Sequence, residues 1–312
     1  MQRLTLAGGI PEDLKGSIVA LGNFDGFHLG HQAVVNRAIQ RGFHERRPVI
    51  VATFDPHPVK FFKPDVPPFR LTTLDQRELL FGHAGADAML VFEFGPALAS
   101  MDAEEFVAEV LGTQIGVAGV VTGDDFSFGK GRRGDVELLR ELGEGNGIAA
   151  EAVAQVVIDG ERVSSGRIRD ALVAGDIGDA TRLLTRDFAI EGVVQRGDAR
   201  GRHLGYPTAN LELGDYQRPK YGIYAVRVTL EDGGEHPGVA SLGVRPTFDP
   251  PTELLETHLL DYDGDLYGQR IEVALHGFIR DEHKFESVEA LVGEMKRDEA
   301  QARTLLALNH YD

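Results

Sequence analysis

The sequence contains no cysteine. Disulfides, thiolate zinc sites and cysteine nucleophiles are therefore excluded, and a bound metal would be held by oxygen or imidazole, with a hard cation the natural fit. No window approaches the roughly 18 uninterrupted apolar residues that a membrane span requires. The first residues, MQRLTLAGGIPEDLKG, break any apolar stretch at Pro11, Glu12 and Asp13, so neither a secretory h-region nor an Arg-rich transit peptide is expected. Basic side chains are outnumbered: 32 Lys and Arg stand against 49 Asp and Glu in 312 residues, a formal charge of -17. A general nucleic-acid or anionic-membrane surface needs a net basic face, so neither partner is expected. The reading is a soluble, cytoplasmic chain, with self-association into a homo-oligomer left open. Three basic clusters, Gly129–Arg133, Arg167–Arg169 and Gln195–Arg202, are local exceptions that could each meet a phosphate.

The length is about twice that of a typical domain, which predicts two. From residue 17 to about residue 123, short apolar runs alternate with helical stretches: SIVAL, a helix after Leu29, VIVATF, a helix near Leu74–Ala84, AMLVFEF, a helix near Asp102–Leu111, and GVAGVVTG. That alternation predicts βαβ units on a parallel sheet, and the unbroken apolar character of the strands predicts helices on both faces. A helix over Asp135–Leu142 and a strand over Ala152–Ile158 continue the pattern, and Ser164–Leu184 reads as helical with a break around Gly175–Gly178. Beyond about Arg186, strand-like segments separated by Gly, Pro and Asp turns predict an antiparallel sheet or small barrel. The chain closes with Ser287 as an N-cap and an amphipathic helix to about Leu308. The domains are therefore read as 1–186 and 187–312, an α/β domain followed by a mainly antiparallel β domain with a C-terminal helix.

In SIVALGNFDGFHLGHQAVVNRAI, a strand, a glycine-rich loop and a helix follow one another, bringing loop amides and a helix N-terminus to the carboxyl edge of the sheet, where a phosphate is favoured. Gly22, Gly26 and Gly30 admit close backbone approach, and His28 and His31, three apart in the first turn, can point to one side. Such imidazoles donate hydrogen bonds to phosphate oxygens. In the second half, GDARGRHLGYPTAN is glycine-rich and basic and could cradle phosphates, although it is no Walker loop. Taken singly, VSSGRIR reads as an N-cap with exposed arginines, GDDFSFGKGRRG as a surface loop, Thr208 and Asn210 as turn residues, and Glu256 as a solvated strand residue.

Together and in this order, GNFDGFHLGH, TFDPHP (53–58), LTTLDQR (71–77), GDDFSFGKGRRG (123–134) and VSSGRIR (163–169) resemble the adenylyltransferase module of bacterial bifunctional riboflavin kinase/FAD synthetases. PTAN, SLGVRPTF, ETHLLDYDGDLYG and RIEVALHGFIR are similar to its riboflavin kinase module. The resemblance implies a Rossmann-like nucleotidylyltransferase domain and a β-barrel kinase domain, with ATP, riboflavin, FMN and FAD as substrates and products and Mg²⁺ as cofactor. It implies that Gly22, Asn23, Phe24, Asp25, Gly26, Gly30, His28 and His31 bind ATP phosphates. Ser164, Ser165, Arg167 and Arg169 would form a second phosphate motif, with Gly166 where the usual form has threonine. Phe54, Asp125, Phe126 and Phe128 would lie near flavin or nucleotide, with Arg245 a supporting flavin residue. In the kinase module, Gly197, Gly201, Arg202 and Gly205 would contact ATP, Thr208 and Asn210 would hold Mg²⁺, and Glu256 would be the general base. A single-activity enzyme, a flavin sensor and an adenylyltransferase for another acceptor remain alternatives at this point.

Overall fold

The computed structural model describes residues 1–196, 206–245 and 252–308. It divides into two compact units, Met1–Pro67 with Thr72–Ser165 and Pro68–Leu71 with Gly166–Asp312.

The first unit runs β1 (Gln2–Thr5), β2 (Ile18–Leu21), α1 (Leu29–Glu45), β3 (Val49–Asp55), α2 (Pro58–Phe62), α3 (Leu74–Ala84), β4 (Ala88–Glu93), α4 (Pro96–Ser100), α5 (Ala103–Glu105), β5 (Gly119–Gly123), α6 (Val136–Gly145), β6 (Ala149–Val153), β7 (Val157–Ile158) and β8 (Glu161–Arg162). Six strands form an all-parallel sheet in the order β1-β4-β3-β2-β5-β6. Alternate residues of each strand enter opposite clusters. Val19, Leu21, Ile50, Ala52, Leu90 and Phe92 pack with Phe106, Val107 and Leu111 on one face. Ile18, Ala20, Val51, Met89 and Val91 pack with Val34, Val35 and Ala38 of α1 on the other. The strands therefore read as unbroken apolar runs because both faces are covered. The winding proceeds from β2 through β3 to β4 on one side and continues with β5 and β6 on the other. The loop leaving the carboxyl end of β2 thus lies at the switch point, where open α/β sheets bind ligands.

Three local features differ from expectation. Edge strand β1 has only Leu4 buried, so QRLT carries no apolar run to announce it. The helix expected to stop near Leu111 continues from α5 with wider π spacing through Phe106–Ile115. The strand expected over 152–158 divides into β6 and the hairpin β7/β8, whose turn residues Asp159 and Gly160 both have positive φ, 54° and 78°, as a tight Asp-Gly hairpin turn requires.

The second unit contains all but the first residue of α7 (Ser165–Ala174), then α8 (Ile177–Leu184), β9 (Phe188–Val193), β10 (Ala209–Glu212), β11 (Gly222–Thr229), β12 (Glu235–Arg245), β13 (Thr252–Leu259), β14 (Arg270–Arg280) and α9 (Val288–Leu308). Helix α8, assigned by its helical grammar to the preceding α/β stretch, packs against β9 and β14. The antiparallel order is β10-β13-β12-β11-β14-β9. The Gln195 N–H donates to the Asn210 carbonyl at 2.9 Å, joining the two ends of that order into a barrel. Leu211, Tyr224, Val226, Leu242, Leu255, Val273 and Leu275 are fully buried. Ala302 and Leu306 of α9 cover Ala225. Ser287 caps α9 as expected, its hydroxyl accepting from the Ala290 N–H at 3.1 Å, and Arg280 binds the buried Asp298 through Nε and Nη2 at 2.8 and 2.7 Å.

A Cβ on Gly143 of α6 would stand 2.6 Å from the backbone oxygen of Ile148. Gly143→Ala gains about 1 kcal/mol of helix propensity against a packing cost of about 1–3 kcal/mol. Net destabilisation in urea unfolding is expected, and a more stable variant would refute this packing. In the second unit, Arg218 donates to Glu253 at 2.9 and 2.7 Å and the Tyr221 hydroxyl also donates to it. The Arg218 hydrogen bonds chiefly hold the Glu253 carboxyl below its usual range. Desolvation, followed by the Glu253 bond, pushes Tyr221 up to about 12. A depressed carboxylate stabilises the fold above its unfolded pKa of about 4.3 and loses that contribution as pH falls through its folded value. The stability difference between wild type and Glu253→Gln should therefore be present at neutral pH and shrink in strong acid. A difference independent of pH would contradict the ion pair.

Candidate functional site

Between β2 and α1 the chain makes a turn that ordinary side chains resist. Phe24 and Phe27 have φ of 51° and 43°, and Gly26 has 88°; a non-glycine residue so placed costs on the order of 1–3 kcal/mol. Burial of both rings offsets this. Phe24 is 1% and Phe27 4% exposed, and both meet Phe81 edge to face, at 5.8 and 5.1 Å. The amides of Gly22, Gly26 and Phe27 bond to Ala52 O, Thr72 Oγ1 and Phe24 O. An anion is therefore met chiefly by the first turn of α1 and the imidazoles.

His28 is the N-cap of α1: its Nδ1 accepts from the His31 N–H at 3.3 Å. The two imidazoles stack at 3.6 Å with planes 19° apart, and His31 abuts Phe24 at 5.4 Å. A Cβ on Gly30 would lie 3.1 Å from His28 Cε1, so glycine keeps the ring seated. With Nδ1 accepting, Nε2 carries the ring proton and is the donor a phosphate would receive. The helix N-terminus adds its positive partial charge.

Residues remote in sequence hold this loop. The buried Asp25 carboxylate accepts from the Thr72 N–H at 3.0 Å, and the Ser165 hydroxyl donates to the Asp25 carbonyl at 2.9 Å. Ser164 lies between Ser165 and Val163, whose carbonyl would be 3.6 Å from a Cβ on Gly30. Arg77, 4% exposed, donates through Nη1 to the Asn23 carbonyl at 3.2 Å and to Thr53 Oγ1 at 2.8 Å. The sequence reading missed Thr53, Thr72 and Arg77 because they lie 30 to 54 positions from their loop partners. Arg167 and Arg169 fall in the second unit, where Arg167 forks onto Asp179 at 3.3 and 3.2 Å. Arg169 donates to the Phe69 carbonyl at 2.7 Å and lies over its ring.

The expected aromatic residues converge. Phe54 stacks on Phe92 at 5.2 Å, Phe126 on Phe128 at 5.8 Å, and Phe128 packs on Phe106, all within or against one core cluster. Reciprocal Phe128 and Gly134 backbone bonds of 2.9 Å close the loop that carries them. Exposed Asp125 pairs with Arg162 at 2.9 Å.

In the second unit, Asn210 on β10 is the direct cross-strand partner of Glu256 on β13, and Glu256 of Ser241 on β12. The row crosses one barrel face. Asn210 is 5% exposed and its Oδ1 is buried with no hydrogen-bond partner among the described residues, an unmet acceptor that costs about 1–3 kcal/mol unless a ligand supplies the bond. His258 Nδ1 meets the Pro207 carbonyl at 2.9 Å and its ring meets Tyr206 at 5.0 Å, steadying the approach to Thr208. Thr208 helps line an open pocket with Val194, Ala209, Thr257, Leu259 and Tyr267. Gly197, Gly201, Arg202 and Gly205 lie outside the described residues. Arg245 ends β12, its Cα paired with that of Thr252.

Comparisons with known proteins divide the chain as its folds do. A family model described as FAD synthetase matches residues 10–167, and one described as riboflavin kinase matches residues 184–306. The bifunctional riboflavin kinase/FMN adenylyltransferase of Pseudomonas fluorescens is 42% identical over 294 residues, 94% of either chain. Its namesake from Escherichia coli K12 is 38% identical over the same share, and that from Listeria monocytogenes 34% over 302 residues, 93% of this chain and 92% of the other. A crystal structure named for a macrolide-efflux protein of Streptococcus pneumoniae aligns with TM-score 0.87 and 30% identity, covering 97% of this chain and 99% of that one. Among the described residues no helix is long and apolar enough to cross a membrane.

The cap geometry predicts that His28 is the Nε2–H tautomer at neutral pH. Long-range ¹H–¹⁵N imidazole spectra check this; an Nδ1–H tautomer would contradict the cap.

Proposed function

The chain belongs to the family of bifunctional riboflavin kinase/FMN adenylyltransferases, and on that premise we propose how its residues divide two reactions. The enzyme phosphorylates riboflavin to FMN with ATP and adenylylates FMN to FAD, releasing pyrophosphate. The adenylylation machinery is drawn from residues 1–186 and the kinase machinery from 187–312.

At the first site a phosphate oxygen of FMN attacks the α-phosphorus of ATP, and the bond to the β,γ-pyrophosphate breaks. No protein nucleophile and no proton removal from a hydroxyl are needed. Catalysis then rests on positioning and charge: His28 and His31 donate to the phosphate oxygens at the start of α1, beside the Gly22–Gly26 turn and Gly30. Ser164 and Ser165 support that loop. Phe54, Phe126 and Phe128 offer flat apolar faces for the isoalloxazine, with Asp125 at their rim.

At the second site the riboflavin 5′-hydroxyl attacks the γ-phosphorus and ADP leaves. A hydroxyl, unlike the FMN phosphate, must lose its proton, and Glu256 is the base that takes it. Arg245 is assigned to flavin binding, and Gly197, Gly201, Arg202 and Gly205, outside the described residues, to ATP. The open pocket that Thr208 helps line, with polar and apolar walls in about equal share, lies beside the proposed phosphate site.

Enzymes of both kinds generally use Mg²⁺. The donors fit it: a hard cation takes neutral and anionic oxygens, and Thr208 with the unmet Asn210 Oδ1 provides two beside the Glu256 row. Bound there, Mg²⁺ would neutralise phosphate charge. A cytoplasmic location accords with these soluble substrates.

The observation that carries the reading is a different set of groups in each unit: stacked imidazoles at a helix start in one, and a carboxylate across the strand pair from a buried amide oxygen in the other. His28→Ala should abolish FAD formation and spare FMN formation. Glu256→Gln should slow FMN formation by about 10²- to 10⁴-fold and spare adenylylation of supplied FMN. Chromatography of the flavins reads both; loss of both activities in either variant, or of neither, would refute the division.

A further inference from the structure

Segment LTTLDQR contributes no residue to either reaction as described, yet it directs two side chains, Thr72 just before α3 and Arg77 on α3, at the turn between β2 and α1. We propose that Arg77 is a positioning residue for adenylylation, fixing the peptide that joins Asn23 to Phe24. This rests on the reading of that turn as the ATP-phosphate site.

The Asn23 carbonyl receives two hydrogen bonds, from Arg77 Nη1 at 3.2 Å and from Thr53 Oγ1 at 2.7 Å. Arg77 Nη1 also donates to Thr53 Oγ1 at 2.8 Å, so guanidinium, hydroxyl and carbonyl form a closed triangle. The next residue, Phe24, holds φ at 51°. Rotating the 23–24 peptide would release that conformation at the cost of both bonds. The guanidinium is planar and permanently charged. It is 4% exposed and so places a fixed cation behind the loop. A purely structural role for α3 is met elsewhere: Thr73 and Gln76 complete its capping box, and Phe81 anchors its far end in the core. Thr72, from the same segment, receives the Gly26 amide at 2.9 Å, giving the turn a second clamp three residues on.

Two physical contributions can be separated. Charge behind the loop favours any bound polyphosphate, including pyrophosphate alone; the rigid fork fixes the loop for attack. Hydrogen bonds to charged groups are worth about 1.5–3 kcal/mol, so losing both contributions should cost roughly 10- to 100-fold.

The test uses the full-length enzyme with FMN supplied and reads kcat and KM for ATP, the inhibition constant of inorganic pyrophosphate, and the kinase rate. Arg77→Met should lower adenylylation kcat/KM and raise the pyrophosphate constant, each by about 10- to 100-fold. Arg77→Lys, which keeps the charge, should largely restore the pyrophosphate constant while kcat stays low. Thr53→Val should reproduce the low kcat, and the double variant Arg77→Lys/Thr53→Val should be no worse than either single one. The kinase rate should be unchanged in all three single variants. If Arg77→Met fails to fold, Arg77→Lys and Thr53→Val carry the test. Unaltered adenylylation constants in those two, or a fall in kcat only in proportion to folded protein, would overturn the proposal. His28→Ala is the control for the underlying reading. A raised pyrophosphate constant there with unaffected Arg77 and Thr53 variants defeats only this inference; an unchanged constant in His28→Ala defeats the phosphate site itself.

Discussion

The turn from β2 into α1 is the constraint on which the first unit depends. Its backbone must reverse between a buried central strand and a helix with one face buried, and it does so by holding Phe24 and Phe27 at positive φ. Burial of the two rings against Phe81 holds a conformation that would otherwise relax, and the His28 cap fixes the helix start that follows. One imidazole nitrogen serves the fold and leaves the other as a donor. Since the same residues that close the turn present the donors, the proposed phosphate site is preorganised by the core.

The proposed phosphate site of the second unit is built by a different device. The Asn210 carbonyl accepts the Gln195 amide that closes the barrel, whereas its side-chain oxygen stays buried and unmet. Its backbone completes the sheet while its side-chain oxygen is the proposed metal ligand. Opposite it stands Glu256, the proposed base for attack by a hydroxyl. The proposed division of labour follows from the nucleophiles: a phosphate is already ionised and needs only orientation, but a ribityl hydroxyl must shed a proton.

Much of the fold was legible because the physical signal was local. Helix α3 spans Leu74–Ala84 and β14 spans Arg270–Arg280, as apolar spacing and turn residues implied, and the unbroken strands of the first unit reported a sheet covered on both sides. β1 was not legible, since one buried leucine in four residues leaves no pattern. Of the two sites, the paired histidines could be found by their spacing in a strand-loop-helix junction, whereas the PTAN and ETH segments, which alone read as turn and solvated strand residues, stood out only by their resemblance to the kinase module. Arg77, Thr53 and Thr72 could not be found: an arginine on a helix looks solvated until the tertiary fold buries it beneath a loop 54 residues away. The Thr73–Gln76 capping box next to it was visible locally, but it announces a helix start and nothing of what the helix supports.

The account's central claim is that one chain directs attack at two different phosphorus atoms of ATP. Isotope transfer tests it most directly. Riboflavin is incubated with the enzyme and Mg²⁺, once with ATP labelled at the γ-phosphorus and once with ATP labelled at the α-phosphorus, and the FAD formed is isolated. The account predicts one equivalent of label in FAD from each, the γ-phosphorus in the flavin phosphate and the α-phosphorus in the adenylyl group. FAD formed from riboflavin that carried label from only one of the two would contradict it.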